Sequence, residues 1–175
     1  MEAFVPRQRH ETRMEAPITH VFAALIDVVA RGRWGGAQIV TGTPRPRPGC
    51  EYAQQRRSVF RRGKVVECLK PVKLALEETL LDRPCRVKLR LQWRLEPLEE
   101  GSCVLLEAKY SLNGAALLRR RHWHERIHGH CTRMLGALVP QIAAAHRALE
   151  DALPERPARH ALPPPLVSGL RARRN

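Results

Sequence analysis

The stretch RVKLRLQWRLE, residues 86–96, decides the fold of this chain. Apolar residues occupy every second position, with basic or polar residues between them, which is typical of a β-strand with one buried and one solvated face. Residues 103–112, CVLLEAKYSL, repeat this alternation after a short connection, so the two strands are expected to pair antiparallel. The apolar face of such a sheet needs a cover, and the helical pattern at residues 115–150 supplies it.

The remaining segments extend this sheet. Strand patterns lie at residues 9–15, 39–41, 50–59, 64–69 and 72–81, and a helix over residues 16–27 opens beside Pro17 and is followed by a second short helical turn. The turn between residues 50–59 and 64–69 is placed at residues 60–63, where Gly63 is expected to take a positive φ. Pro140 is expected to bend the C-terminal helix. The pattern predicts an α+β fold in which an antiparallel sheet curls around one long helix.

Composition indicates one domain and a tail. The chain has 175 residues and a formal net charge of +14, mostly from arginines scattered along its length. Residues 1–152 are expected to form the domain, and residues 153–175 a disordered basic tail rich in proline and arginine. Five cysteines without a CxxC pair favour free thiols. The chain has no signal-peptide pattern and no apolar run that could span a membrane, so a cytoplasmic protein without stable membrane insertion is expected.

The organisation resembles the START-like, helix-grip superfamily (SRPBCC), in particular its polyketide cyclase/dehydrase-like and chaperone-ATPase-activator-like branches. The resemblance covers about residues 8–150 and rests on residues 14–22 (MEAPITHVF), Trp34, residues 63–67 (GKVVE), Pro71, residues 93–97 (WRLEP) and Gly101. It implies a helix-grip α+β fold of about seven antiparallel strands. It also implies an internal cavity for lipids, polyketides, hormones or aromatic compounds. It implies no cofactor and no shared set of catalytic residues.

Strand alternation predicts which side chains line that cavity. The inward-facing strand residues and the apolar stripe of the C-terminal helix provide the candidates. The predicted ligand-binding residues are Trp34 and Tyr52 near the mouth, together with Leu76, Leu91, Trp93, Leu106, Tyr110, His128, Cys131 and Met134.

Two glutamates fall among these inward positions. Glu78 alternates with Leu76 and Leu80, and Glu67 points inward if it follows the alternation of Val65 and Leu69. A buried carboxylate needs a partner or stays protonated, so each is a candidate acid, base or polar anchor. The alternative for each is a salt bridge to an arginine, or a strand irregularity that turns the carboxylate to water.

The helix carries a literal HExxH at residues 124–128. On a helix this places His124 and His128 on one face and predicts a zinc metalloenzyme as an alternative function. A downstream third ligand at Glu150 would lie ~33 Å away along a continuous helix. His124 is instead a candidate acid or base beside the cavity, or a hydrogen-bonded core histidine, whereas His122 and His130 are expected on solvated faces.

These observations predict a protein that binds a small hydrophobic ligand, lipid-, polyketide- or aromatic-like. If it is a cyclase-like enzyme, Glu67, Glu78 and His124 are the catalytic candidates, and in a carrier they orient the cargo. A third alternative is weak contact with anionic lipid or nucleic acid through two basic groups, residues 56–64 around Phe60 and residues 119–121. A homodimer is left open.

Overall fold

The computed structural model describes residues 6–34, 37–41, 45–56 and 59–152, without the side chains of Trp34, Arg56 and residues 146–152. Its strands are β1 (Arg7–Met14), β2 (Gln38–Thr41), β3 (Glu51–Arg56), β4 (Val59–Leu69), β5 (Lys73–Asp82), β6 (Cys85–Leu98) and β7 (Gly101–Asn113). They form one antiparallel seven-stranded sheet in the order β1-β7-β6-β5-β4-β3-β2. This confirms the predicted α+β helix-grip architecture.

The helices lie before β2 and after β7. They are α1 (Ile18–Val29), which continues into a π-helical turn (Ala30–Trp34), then α2 (Ala115–Leu118), α3 (Arg120–Gly136) and α4 (Leu138–Ala152). The C-terminal helix is therefore interrupted at Arg119 and Ala137, and the second interruption lies within one turn of Pro140, where a bend was predicted. Pro140 lies in the first turn of α4, where its missing N–H has no helical acceptor in any case.

The core lies between the inner face of the sheet and the helices. Register places Leu74, Trp93 and Leu106 side by side across three strands, and all three are fully buried. Cys131, Leu135 and Leu138 of the C-terminal helices are buried in the same core cluster. Each large apolar side chain removed from water contributes roughly 1.5–3 kcal/mol, so this row stabilises the attachment of the helices to the sheet.

The turn predicted at residues 60–63 is wrong, because these residues belong to β4. The β3–β4 connection falls at residues 57–58, outside the described part of the chain. Gly63 lies directly opposite Tyr52 in the sheet and has no positive φ. A Cβ at Gly63 would lie 2.5 Å from Cζ of the Tyr52 ring, so glycine is needed there for close approach.

Among the described residues, no helix combines the length and the apolar character needed to cross a membrane. The predicted tail at residues 153–175 lies outside the described residues.

Candidate ligand-binding site

A cavity of about 800 Å³ lies between α3 and the inner face of β4 to β6. Its apolar wall consists of Val59, Leu80, Leu89, Trp123 and Ile127. Its polar wall consists of Arg31, Gln54, Arg61, Glu78, Arg126, His130 and Arg133. The volume falls in the range usual for small-molecule sites, and the lining combines an apolar wall with a larger polar one.

Strand alternation brings the polar groups to this wall. Arg61 pairs with Leu80 and Gly63 pairs with Glu78, so both Arg61 and Glu78 face inward. Arg61 Nη2 donates a hydrogen bond to the Gly32 carbonyl in the π-helical turn at 3.2 Å and another to Gln54 of β3. The arginine is thereby held between the sheet and the segment that follows α1.

Glu78 lies in a buried ion pair. Its side chain is 1% exposed, and Arg33 Nε lies 2.8 Å from its Oε1, although the N–H does not point at that oxygen in hydrogen-bond geometry. The Tyr52 hydroxyl donates a hydrogen bond to the same oxygen. Burial by itself would raise the pKa of Glu78, but Arg33, Arg61 and the Tyr52 hydrogen bond bring that pKa below its usual value. Glu78 is therefore ionised at neutral pH.

Tyr52 is the neutral member of this network. Its side chain is fully buried, and burial together with the negative charge of Glu78 raises the pKa of its hydroxyl. A protonated tyrosine can only donate to the carboxylate. Tyr52 therefore stabilises the charged form of Glu78.

His130 is the cavity residue that sequence reasoning missed, because it was expected on a solvated face. Burial, followed by the positive charges of Arg33, Arg61 and Arg133, lowers its pKa to about 3 although Glu78 opposes this. The imidazole is therefore neutral near pH 7. Helical spacing carries the missed signal, since His130 follows Trp123 and Ile127 along one face of α3.

Glu67 does not point inward, because the structure has the strand irregularity that was the alternative for this residue. The β4–β5 register shifts between Val65 and Glu67, so that Val65 pairs with Leu76 but Glu67 pairs with Ala75. This bulge moves Glu67 to the outer face of the sheet, where its carboxylate lies 2.6 Å from Lys73 Nζ. Glu67 is thus separated from Glu78 by the sheet itself.

His124 belongs to a different polar cluster. Its Nδ1 lies 2.7 Å from the Tyr110 hydroxyl and 3.1 Å from Nε2 of Gln8, and the Gln8 amide also donates to the His124 carbonyl at 3.0 Å. Neither His124 nor Tyr110 lines the cavity. The three residues predicted as an acid/base set are therefore not brought together.

The predicted pocket residues form the closed core. Tyr52, Leu76, Leu91, Trp93, Leu106, Tyr110, Cys131 and Met134 are all buried, but none of them lines the cavity. His128 is exposed, and the side chain of Trp34 lies outside the described residues. The alternation rule identified the inner face correctly, but it placed the cavity in the packed middle of the sheet instead of under the first turns of α3.

The two histidines of the HExxH sequence, His124 and His128, contact different neighbours. The ring of His128 packs against the ring of His10 with centroids 4.8 Å apart, while His124 is hydrogen-bonded as described. In the described ranges, no three His, Cys, Asp or Glu side chains are arranged to hold a metal ion. The zinc alternative therefore lacks a ligand set in this part of the chain.

The basic group predicted at residues 56–64 does not form one surface. Arg61 faces the cavity, whereas Arg62 and Lys64 lie on the outer face, where they pair with Glu51 and Glu77. The Arg56 side chain and Arg57 lie outside the described residues. Of the second basic group, Arg121 pairs with Glu125 on α3.

No protein-family model matches the sequence, and no curated protein matches it significantly. Solved structures do match it. MLL2253 from Mesorhizobium loti has a TM-score of 0.60 at 13% identity, over 79% of this chain and 98% of its own. Ara h 8.0201 has a TM-score of 0.59 at 15% identity, over 81% and 99%.

DynU16, from the dynemicin biosynthetic locus, has a TM-score of 0.58 at 15% identity, over 79% of this chain but only 48% of its own. At such identities the likeness concerns the fold. Together with the seven-stranded sheet that packs around the C-terminal helices, it shows that the chain has the helix-grip fold.

Proposed function

We propose that this protein binds a small hydrophobic molecule, lipid-, polyketide- or aromatic-like, in the cavity beneath α3. The observation that carries the proposal is the cavity of about 800 Å³ lined by Val59, Leu80, Leu89, Trp123 and Ile127. Apolar walls of this extent favour a ligand that leaves water, because burying apolar surface drives binding.

Binding is better supported than acid/base catalysis. An efficient general acid or base has a pKa near the working pH. The pKa of Glu78 lies below its usual value, so at neutral pH it has no proton to donate. The pKa of His130, about 3, makes the imidazole a weak base. The pKa values of both groups thus lie away from neutral pH, so each group keeps a fixed charge state in the cavity wall.

A neutral fluorescent probe tests this proposal. N-phenyl-1-naphthylamine is expected to bind saturably with increased fluorescence, because its rings fit an apolar cavity. Leu80→Trp fills the cavity wall, while Leu81→Trp places the same bulk on the outer face of β5, where Leu81 is 36% exposed. We expect Leu80→Trp to weaken binding roughly tenfold or more. Tenfold in affinity is about 1.4 kcal/mol, close to the free energy gained when one large apolar side chain is buried.

Leu81→Trp is the matched control and should leave the affinity unchanged. Absence of saturable binding, or equal affinities of the two variants, would show that the probe does not use this cavity and would overturn the proposal.

A further inference from the structure

The cavity wall carries an excess of positive charge. Arg31, Arg61, Arg126 and Arg133 line it, and Glu78 is the one carboxylate among the lining residues. That carboxylate is already paired with Arg33, which lies behind it. Arg126 is neutralised by Asp82, whose Oδ2 lies 3.0 Å from its Nη1. The wall lined by Arg31, Arg61 and Arg133 therefore carries more positive charge than Glu78 can offset.

Buried hydrogen-bond donors around the cavity also lack acceptors. Trp123 is 1% exposed and Arg33 is 0% exposed. Trp123 Nε1, Arg33 Nη1 and Arg61 Nε are buried and have no hydrogen-bond partner among the described residues. Leaving a buried donor unpaired costs roughly 1–3 kcal/mol. These three N–H groups are closed to solvent and lie behind the cavity surface, so the groups that a ligand can reach are the arginine side chains of the wall.

His130 lies on the same cavity wall. Burial, followed by repulsion from the positive charges of Arg33, Arg61 and Arg133, lowers its pKa and keeps the imidazole neutral. A cationic ligand would meet the same repulsion. An anion would be attracted, and its hydrogen bonds to arginine would be charge-assisted.

We propose that the ligand of this cavity is amphipathic and carries an anionic oxygen head group, a carboxylate or sulfonate, that is held by the guanidinium groups of Arg61 and Arg133. Its apolar body lies against Val59, Leu80 and Ile127. This inference rests on the proposed function and narrows it, because a purely apolar ligand would leave the positive charge of the wall without a counter-ion.

The test compares two probes that differ by one anionic group. 1-Anilinonaphthalene-8-sulfonate is N-phenyl-1-naphthylamine with an added sulfonate. We expect the sulfonate to bind roughly tenfold tighter or more, the ratio that corresponds to one hydrogen bond to a charged group. Arg61→Gln is expected to abolish this preference, because it weakens binding of the sulfonate probe more than binding of the neutral one. Arg62→Gln is the matched control, because Arg62 faces the opposite side of the same strand.

Two further variants make the test independent of any folding defect in Arg61→Gln. Arg31→Gln and Arg133→Gln each remove charge from an exposed residue of the cavity wall. Each is expected to weaken the sulfonate probe more than the neutral one. The inference is overturned if both probes bind equally, if the neutral one binds tighter, or if these variants weaken both probes alike. In those cases the binding of the neutral probe still stands, whereas loss of both probes overturns the proposed function as well.

Discussion

At the scale of single residues, Glu78 organises the polar part of the interior. Its Oε1 accepts a hydrogen bond from the Tyr52 hydroxyl and forms an ion pair with the Arg33 guanidinium, and both interactions are shielded from solvent. Two charges removed from water stabilise a fold only if they stay together, because either one alone bears the full cost of lost hydration. Glu78 and Arg33 are therefore expected to be far more sensitive to substitution than the surface ion pairs.

Glu78→Gln leaves the Arg33 charge buried without a counter-ion. The free energy of unfolding is expected to fall by about 3–5 kcal/mol, measured by urea denaturation. Glu77→Gln is the matched control, because Glu77 is adjacent, exposed and paired with Arg90 and Lys64 on the outer face. It should cost less than about 1 kcal/mol. Equal losses for the two variants would contradict the assignment of Glu78 to a buried ion pair.

His130 makes the stability of the protein depend on pH. Its folded pKa of about 3 lies below the ordinary value of 6.5, so between these values the unfolded chain binds more protons than the folded one. Stability is therefore complete above the unfolded pKa and falls as the pH drops below it. Glu78, whose folded pKa is also lowered, adds a further loss only below its unfolded pKa of 4.5.

His130→Gln removes this titration. Between pH 7 and about pH 5, the variant should lose less unfolding free energy than the unchanged protein, because glutamine binds no proton in either state. Thermal or urea unfolding at both pH values measures the difference. His122→Gln, a substitution at an exposed position of α3, is the comparison. If His130→Gln and His122→Gln show the same pH slope, His130 is not held neutral in the fold.

At the scale of elements, β4 determines what the cavity contains. Its regular part, residues 61–65, alternates Arg61, Gly63 and Val65 toward the interior. Its bulge then reverses the pattern, so that Glu67 faces water and Cys68 faces Leu74. One strand thus supplies a cavity arginine and removes a carboxylate that simple alternation would have placed nearby.

Gly63 allows β3 and β4 to hold the Tyr52 ring over the strand. In Gly63→Ala, the new Cβ would overlap that ring, which must move and weaken its hydrogen bond to Glu78. We expect a loss of about 1–3 kcal/mol in unfolding free energy. Gly136→Ala, at the end of α3 with no atom near the added Cβ, should be neutral or stabilising by up to about 1 kcal/mol. A neutral Gly63→Ala would show that the contact with Tyr52 is not tight.

At the scale of the whole molecule, the hydrophobic core is contained within the helix-grip unit. Among the described side chains, its buried members run from Met14 to Ile142 and form one cluster. The predicted boundary at residue 152 lies beyond the last of them.

A chain ending at residue 152 is expected to unfold with the same free energy as the full chain, within about 0.5 kcal/mol. The same comparison should leave the affinity for N-phenyl-1-naphthylamine unchanged, because the cavity walls lie between Arg31 and Arg133. Chemical denaturation and probe titration of the two chains measure both quantities. A larger loss of stability would show that the tail packs on the domain, and a change in affinity alone would show that it reaches the cavity.

The sequence by itself determined the architecture, because period-two alternation in residues 86–96 and 103–112 and the helical stripe after them are local patterns repeated over many residues. It also identified Glu78 as a buried carboxylate, since alternation in a regular strand places Glu78 on the same face as Leu76 and Leu80. Only the tertiary structure decided that Arg33 is its partner, that His130 faces the same cavity, and that Glu67 does not. Those facts depend on a bulge of one residue, on a π-helical turn and on the rotation of α3 over the sheet, and each of these is set by packing between elements distant in sequence.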